Sequence, residues 1–349
     1  MDPGNDSARP AVVIDGSLGE GGGQVLRSSL ALALVTGRPV HLHSVRAGRA
    51  KPGLMRQHLA ALQLAAAIGA ARVSGAEVGS REIDFIPQTI LAGRWQRAIG
   101  SAGSTTLVAQ TVLPALLVAE GESELVLEGG THNPLAPPFE FLARSFVPAL
   151  RAMGAELDVE LVRHGFHPAG GGELRVRTRG RPLRPLAILA RGELRAIRAQ
   201  AIVAGLPAHV GERELAVVQQ KLGIAKDRCT LVMAENGPGN VLTIDVETGS
   251  GVEVIAAFGR LGLPAERVAA EAVRDAKAFL RTPVPVGAHL ADQLLLPFAL
   301  AGGGSFRTLR PTTHTTTNAR VIEAFLPVRI DMHDEGEGVW RVDVIRVPD

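Results

Sequence analysis

From residue 11 onward, short apolar runs alternate with longer stretches in which apolar positions recur every three or four residues. The first pattern predicts strands and the second predicts helices. Residues 11–14 read as a strand, 15–23 as a glycine-rich turn, and 24–36 as a helix. A short strand ends near Ser44, and a second helix over 53–68 stops at Gly69. Strands at 71–74 and 82–86 follow. The same order then returns. Gly100-Ser101-Ala102-Gly103-Ser104 opens a helix through Leu117, strand 124–128 leads into loop 129–138, and helix 139–153 stops at Gly154. A hairpin, 156–162 with 173–177, turns at Ala169-Gly170-Gly171-Gly172. Near the C-terminus the order appears again: helix 289–301, strand 305–309, loop 310–316, helix 317–325, and strands 328–332 and 340–345. The chain is therefore expected to be α+β, with a repeated unit of strand, helix, strand, helix and hairpin whose helices bury their apolar faces on one side of sheets.

The rhythm breaks between the second and third copies. An Arg/Pro-rich stretch over 179–185 and the prolines at 283 and 285 read as boundaries. Between them come strand 194–203, helix 210–222, strands 230–234 and 241–246, and helix 264–280. The expected organisation is a disordered tail at 1–10, one large domain from 11–183 and 282–349, and a smaller inserted α/β domain at 184–281.

Composition narrows the classes. With 46% hydrophobic and 21% charged residues, the chain can bury a sizeable core, which excludes wholesale disorder. A net charge of +2 makes no case for nucleic-acid binding by itself. Lysine occurs only at Lys51, Lys221, Lys226 and Lys277, and every other basic residue is arginine. Arginine is the better fork for phosphate oxygens, but abundant Ala, Gly and Arg also fit a GC-rich genome, so only clustered arginines bear on function. The single cysteine, Cys229, excludes an intrachain disulfide and a Cys-rich metal site. Residues 1–10 lack the apolar core of a secretory signal, and the longest apolar stretches, such as 107–119, are too short to span a bilayer. A cytoplasmic location with no membrane partner is expected.

Four constellations can carry chemistry. In Gly19-Glu20-Gly21-Gly22-Gly23-Gln24, with Arg27 one turn later, glycines let backbone N–H groups approach an anion at a helix start. No Gly-Lys-Ser/Thr follows, so this is not a Walker A loop. Glu20 suggests a metal ion beside a phosphate, or else a carboxylate capping a tight turn. Arg46, Arg49 and Lys51 put three cations on a shaped loop ending at Gly53, just before Arg56, Gln57 and His58; a phosphate backbone or solvent can face them. Gly129-Gly130-Thr131-His132-Asn133-Pro134, running on to Pro138, is a stiff loop suited to a pocket wall. His314 stands among threonines in 311–318, either as a nucleophile able to form a phosphoramidate or as an ordinary loop histidine. Asp292 and Gln293 are polar residues on an apolar helix, placed to bond a ribose or base or to cap the helix.

Together these motifs resemble the RNA 3'-terminal phosphate cyclase family. The likeness runs in order through Asp15-Gly16, 19–27, 46–53, Arg56-Gln57-His58-Leu59, 99–104, 110–114, 129–138, 163–172, Leu290-Ala291-Asp292-Gln293 and the His314 loop. It implies three βαβαββ units in a large domain, akin to enolpyruvyl transferases, with a smaller inserted domain. It also implies ATP as a substrate, a divalent metal (Mg or Mn), RNA with a 3'-phosphate end as partner, and compatibility with a homodimer. The implied chemistry starts with attack of His314 on the α-phosphate of ATP. The RNA 3'-phosphate then takes the AMP, and the 2'-hydroxyl closes a 2',3'-cyclic ester. By the same likeness Glu20 falls at the metal position, Arg27, Arg46, Arg49 and Gln57 at phosphate-binding positions, and Gln110, Pro137, Asp292 and Gln293 in the nucleotide pocket. His289 stands where relatives commonly place a tyrosine against the adenine, and this chain has no tyrosine. A silent RNA-binding relative would lack the histidine, an enolpyruvyl-type enzyme would ignore ATP, and a lysine-nucleophile ligase would need a Lys-x-Asp-Gly context that none of the four lysines has.

Overall fold

The computed structural model describes residues 10–348. The expected disordered tail therefore lies, but for Pro10, outside the described residues. The architecture is mixed α+β, with four four-stranded sheets and eight helices among those residues.

The first sheet contains β1 (Val12–Asp15), β2 (Val40–His43), β3 (Arg72–Ser74) and β4 (Ile83–Ile86) in the order β1-β2-β4-β3. Its helices are α1 (Gly23–Thr36) and α2 (Arg56–Ile68). The second contains β5 (Arg94–Ala98), β6 (Glu122–Gly129), β7 (Glu156–Arg163) and β8 (Gly172–Arg179), ordered β5-β6-β8-β7. Its helices are α3 (Thr105–Val118) and α4 (139–152); α4 contains a π-helical turn at Leu142–Phe146. In both sheets the first two strands are parallel and the remaining pairs antiparallel.

Two further sheets use the rest of the chain. β9 (Leu186–Ile188) pairs in parallel with β14 (Gly303–Thr308), which continues antiparallel through β16 (Val339–Arg346) to β15 (Val328–Gly336). Residues 186–188, expected in the insertion, are thus a strand beside C-terminal elements. Helices α7 (Ala288–Leu300) and α8 (Thr313–Phe325) belong to this sheet. The fourth sheet, β11-β10-β12-β13, is built from β10 (Leu194–Ala204), β11 (Cys229–Ala234), β12 (Gly239–Thr248) and β13 (Gly251–Phe258), with α5 (His209–Leu222) and α6 (Ala265–Leu280) packed on it.

One apolar core joins the helices of the first three sheets, and a second joins α5 and α6 to β10, β12 and β13. Phe166, from the turn between β7 and β8, plugs into the other face of the fourth sheet against Ile202, Ala204 and Val241. Gly239 makes the hole for it: a Cβ there would lie 2.1 Å from Phe166 Cγ. The π turn places Arg144 and Ser145 beside the same sheet, where Arg144 Nη1 donates to Asp245 Oδ2 (2.8 Å) and Ser145 Oγ accepts from Val254 N (3.1 Å). No helix among the described residues is long and apolar enough to cross a membrane.

Candidate active site

The site forms where helix starts from the first and third sheets meet. The glycine run passes through Gly22, the N-cap of α1, into Gly23, its first residue, and α1 then buries Val25, Leu26, Leu30 and Leu34 before stopping at left-handed Gly37. Gly19 takes φ of +62°, and a Cβ on it would lie 2.0 Å from Thr317 Oγ1. The turn therefore presses directly on α8. That helix begins four residues earlier than the apolar pattern suggested. Thr312 caps it by accepting from Thr315 N at 3.2 Å, so His314 sits in the first helical turn rather than in a loop.

His314 faces the glycine turn. Its Nε2 lies 3.0 Å from Glu20 Oε2, and its Nδ1 lies 2.5 Å from Gln24 Oε1. Glu20 Oε2 also accepts from Arg49 Nη2 at 3.1 Å. Gln24 Nε2 donates to Asp292 Oδ1 at 2.5 Å. Asn318 Nδ2 donates to the Asp292 carbonyl (2.9 Å), and Ser28 Oγ donates to Asn318 Oδ1 (2.7 Å). A polar seam thus stitches α1, α7 and α8 together. Burial raises the Asp292 pKa, against the opposing pull of Gln24, His314 and Arg27.

Behind the seam lies a cavity between α1, α3, α4 and α7. Its polar end holds Gln24, Arg27, Gln110, Asp292 and Gln293, and its far end is apolar, with Leu113, Phe146 and Leu296. Gln110 Nε2 donates to Gln293 Oε1 at 2.5 Å across the cavity. Pro114 and Pro297, one turn beyond these glutamines, carry no N–H, so the Gln110 and Gln293 carbonyls cannot accept the usual helical bond. Arg27 makes no hydrogen bond or ion pair among the described residues. Burial lowers its pKa to about 10, while Asp292 pulls it upward. A desolvated cation without a partner is a strong binder for an anion.

The other predicted residues divide. Arg46 takes a left-handed φ of 56°, and its Nη1 donates to the Lys51 and Gly53 carbonyls at 2.7 and 2.8 Å. It staples its own loop. Burial and then Arg49 lower its pKa. Gln57 Oε1 accepts from Ser104 N at 2.8 Å, tying α2 to the turn before α3. The Pro137 carbonyl accepts from Thr106 Oγ1 at 2.8 Å. His289 is exposed in the first turn of α7 and is not among the residues lining the cavity.

Two residues with no predicted role now stand in the site. Gln24, which closes the glycine motif, bridges His314 and Asp292 across a sequence separation of hundreds of residues, so the motif marks the residue but not this role. His58 is buried, accepts from Met55 N at Nδ1 (3.2 Å), and has its pKa lowered to about 3 by burial, then by Arg27 and Arg46. It is therefore neutral, with Nε2 carrying the proton.

Residues 18–332 match the family model described as RNA 3'-terminal phosphate cyclase. Curated relatives bear the same name. One from Pseudomonas fluorescens is 49% identical over 95% of this chain and 97% of its own, and one from Koribacter versatilis is 47% identical over 93% and 92%. One from Salmonella typhimurium is 44% identical over 97% and 99%. With a family model covering most of its length and relatives this similar from end to end, the chain belongs to the RNA 3'-terminal phosphate cyclase family.

Proposed function

We propose that this protein is an ATP-dependent cyclase that converts an RNA 3'-terminal phosphate into a 2',3'-cyclic phosphodiester through a histidyl-AMP intermediate. One observation carries this reading: the His314 ring is held by Gln24 and Glu20 where the glycine turn meets a cavity with an unpaired arginine. His314 Nε2 forms a bond to the α-phosphorus of ATP as the bond to pyrophosphate breaks. An oxygen of the RNA 3'-phosphate then displaces the imidazole and takes the AMP. The adjacent 2'-hydroxyl attacks that RNA phosphorus, loses its proton and expels AMP; this step is intramolecular, so proximity supplies much of its rate.

Arg27 and Arg49 are read as phosphate ligands, with the α1 N-terminus adding its positive dipole end. Arg46 and Gln57 act one step back, shaping the loop and turn around the phosphates. Gln110, Asp292 and Gln293 bind the nucleoside, with Pro137 and His289 at the rim. No three His, Cys, Asp or Glu side chains gather among the described residues. Glu20 is half-exposed, and its Oε1 has no hydrogen-bond partner among them. A single carboxylate with one oxygen on Arg49 and His314 and the other open suits Mg or Mn, which is commonly held by one or two carboxylates together with substrate phosphates. A cation there would neutralise charge building on the phosphates.

We also read the first three sheets, each with two helices, as copies of one βαβαββ unit forming a large catalytic domain. β9 opens the third copy, and the fourth sheet with α5 and α6 is an inserted domain. A cytoplasmic setting fits this activity. The test uses RNA bearing a labelled 3'-phosphate. Incubation with ATP and magnesium should make the label resistant to phosphatase, and His314→Ala should leave it sensitive. A label that stays sensitive with the unaltered protein overturns the reading.

A further inference from the structure

Strand β13 belongs to the fourth sheet, yet it grips two of the helices that wall the cavity behind the His314 seam. It is an edge strand, so one row of its backbone groups faces away from β12. Val254 N donates to Ser145 Oγ at 3.1 Å, in the π turn of α4. The next residue of that turn, Phe146, lines the cavity, as does Leu150 one turn on. Val254 itself packs in the core of the first three sheets rather than in that of its own sheet. One residue earlier, Glu253 Oε2 accepts from Gly287 N at 3.1 Å. Gly287 is the N-cap of α7, has no side chain to cap the helix, and gives its carbonyl to Ala291 N at 2.9 Å. Helix starts leave N–H groups without helical partners, and Glu253 satisfies one of them from outside. Asp292 and Gln293 follow directly on Ala291, and both line the cavity. The approach is close: a Cβ on Gly287 would lie 2.0 Å from Glu253 Oε1. Two successive residues of one strand therefore anchor α4 and α7, which face each other across the cavity.

We infer that Glu253 is a positioning residue for the nucleotide: by fixing where α7 begins it sets the places of Asp292 and Gln293, while Val254 holds the opposite wall through Ser145. None of the described residues of β13 lines the cavity, so the effect passes through α4 and α7. The inference rests on the reading above that Asp292 and Gln293 bind the nucleoside, and it deepens that reading by making the fourth sheet part of the site's frame. His314 is anchored separately, by the Thr312 cap of α8. Loosening α7 therefore falls on ATP binding rather than on the transfer of AMP to the histidine.

The test follows formation of the His314 adduct against ATP concentration in the unaltered protein, Glu253→Leu, Glu253→Gln and Ser145→Ala. Glu253→Leu fills the same space and removes the acceptor. It should raise the half-saturating ATP concentration by about tenfold, the scale of one hydrogen bond lost from a binding wall, and leave the maximal rate nearly unchanged. Glu253→Gln keeps an oxygen for Gly287 and should restore the unaltered value. A merely structural role would lower the unfolding midpoint without this split between half-saturation and rate. Ser145→Ala, a milder change that cuts the tie to α4, should move half-saturation in the same direction and carries the test if Glu253→Leu does not fold. Half-saturation unchanged in Glu253→Leu, or in Ser145→Ala where the leucine variant does not fold, overturns the assignment. So does a Glu253→Gln protein as impaired as Glu253→Leu. If the unaltered protein forms no adduct, the histidyl-AMP reading itself fails, and calorimetric binding of AMP to the same proteins decides the role of Glu253: the same order of affinities is expected, and equal affinities overturn it.

Discussion

Replacing Glu253 by glutamine isolates the cost of one buried carboxyl. Glu253 lies on β13, is 6% exposed, and accepts the N–H of Gly287, the N-cap of α7, at 3.1 Å. Burial pushes its pKa from 4.5 up to about 7, against the lowering effect of that hydrogen bond. The folded chain therefore keeps a proton at pH values where the unfolded chain has lost it. The sign follows: this group's stabilising contribution is full below pH 4.5 and disappears as pH rises through about 7. Between about pH 5 and about pH 8 the loss is on the order of 2–3 kcal/mol. Glutamine retains an oxygen for Gly287 and never ionises, so α7 stays anchored while the pH dependence goes. Urea unfolding of both proteins across this range is the assay. Glu253→Gln should gain stability relative to the unaltered chain as pH rises, by that amount. A difference between the two that stays constant with pH would refute the reasoning.

Glu214→Gln should behave similarly, because Glu214 is fully buried, accepts from Asn240 Nδ2, and has its pKa raised to about 7 by burial; the same titration of unfolding checks it. Phe166→Ala should cost about 3–5 kcal/mol in denaturant unfolding, because it empties the hole beside Gly239 and strips the ring stacked on His132 at 5.0 Å. Arg49→Ala, on a half-exposed side chain, should leave the unfolding midpoint nearly unchanged while slowing adenylation. Arg46→Ala should damage both, since two loop carbonyls lose their donor, at about 1–3 kcal/mol in the same unfolding assay.

Elements with strong periodicity were legible in the sequence, and weak ones were not. Most helices and the hairpins follow their apolar spacing closely, because those residues form the cores. β5 escaped because Arg94-Trp95-Gln96-Arg97-Ala98 is an edge strand with alternate residues exposed, so it reads as polar. β9 is three residues long and gains its identity only by pairing with β14, more than a hundred residues later. β13 hides a buried Glu253 in an otherwise apolar run, which spoils simple alternation. The start of α8 was masked by threonines, although Thr312 carries an N-cap signal. At the site, motif residues such as Glu20, Arg49, Asp292 and His314 do come together. Arg46 shows the limit of reading side-chain type alone: its guanidinium is largely spent on its own loop, a fact set by backbone geometry. Gln24 shows the converse, since its importance comes entirely from partners distant in sequence.

The most direct measurement is peptide-resolved mass spectrometry of the protein after incubation with ATP and magnesium but no RNA. The account predicts one added AMP on the peptide containing His314, lost in acid and transferred when RNA with a 3'-phosphate is supplied. AMP on a lysine, or no AMP on any peptide, would contradict it.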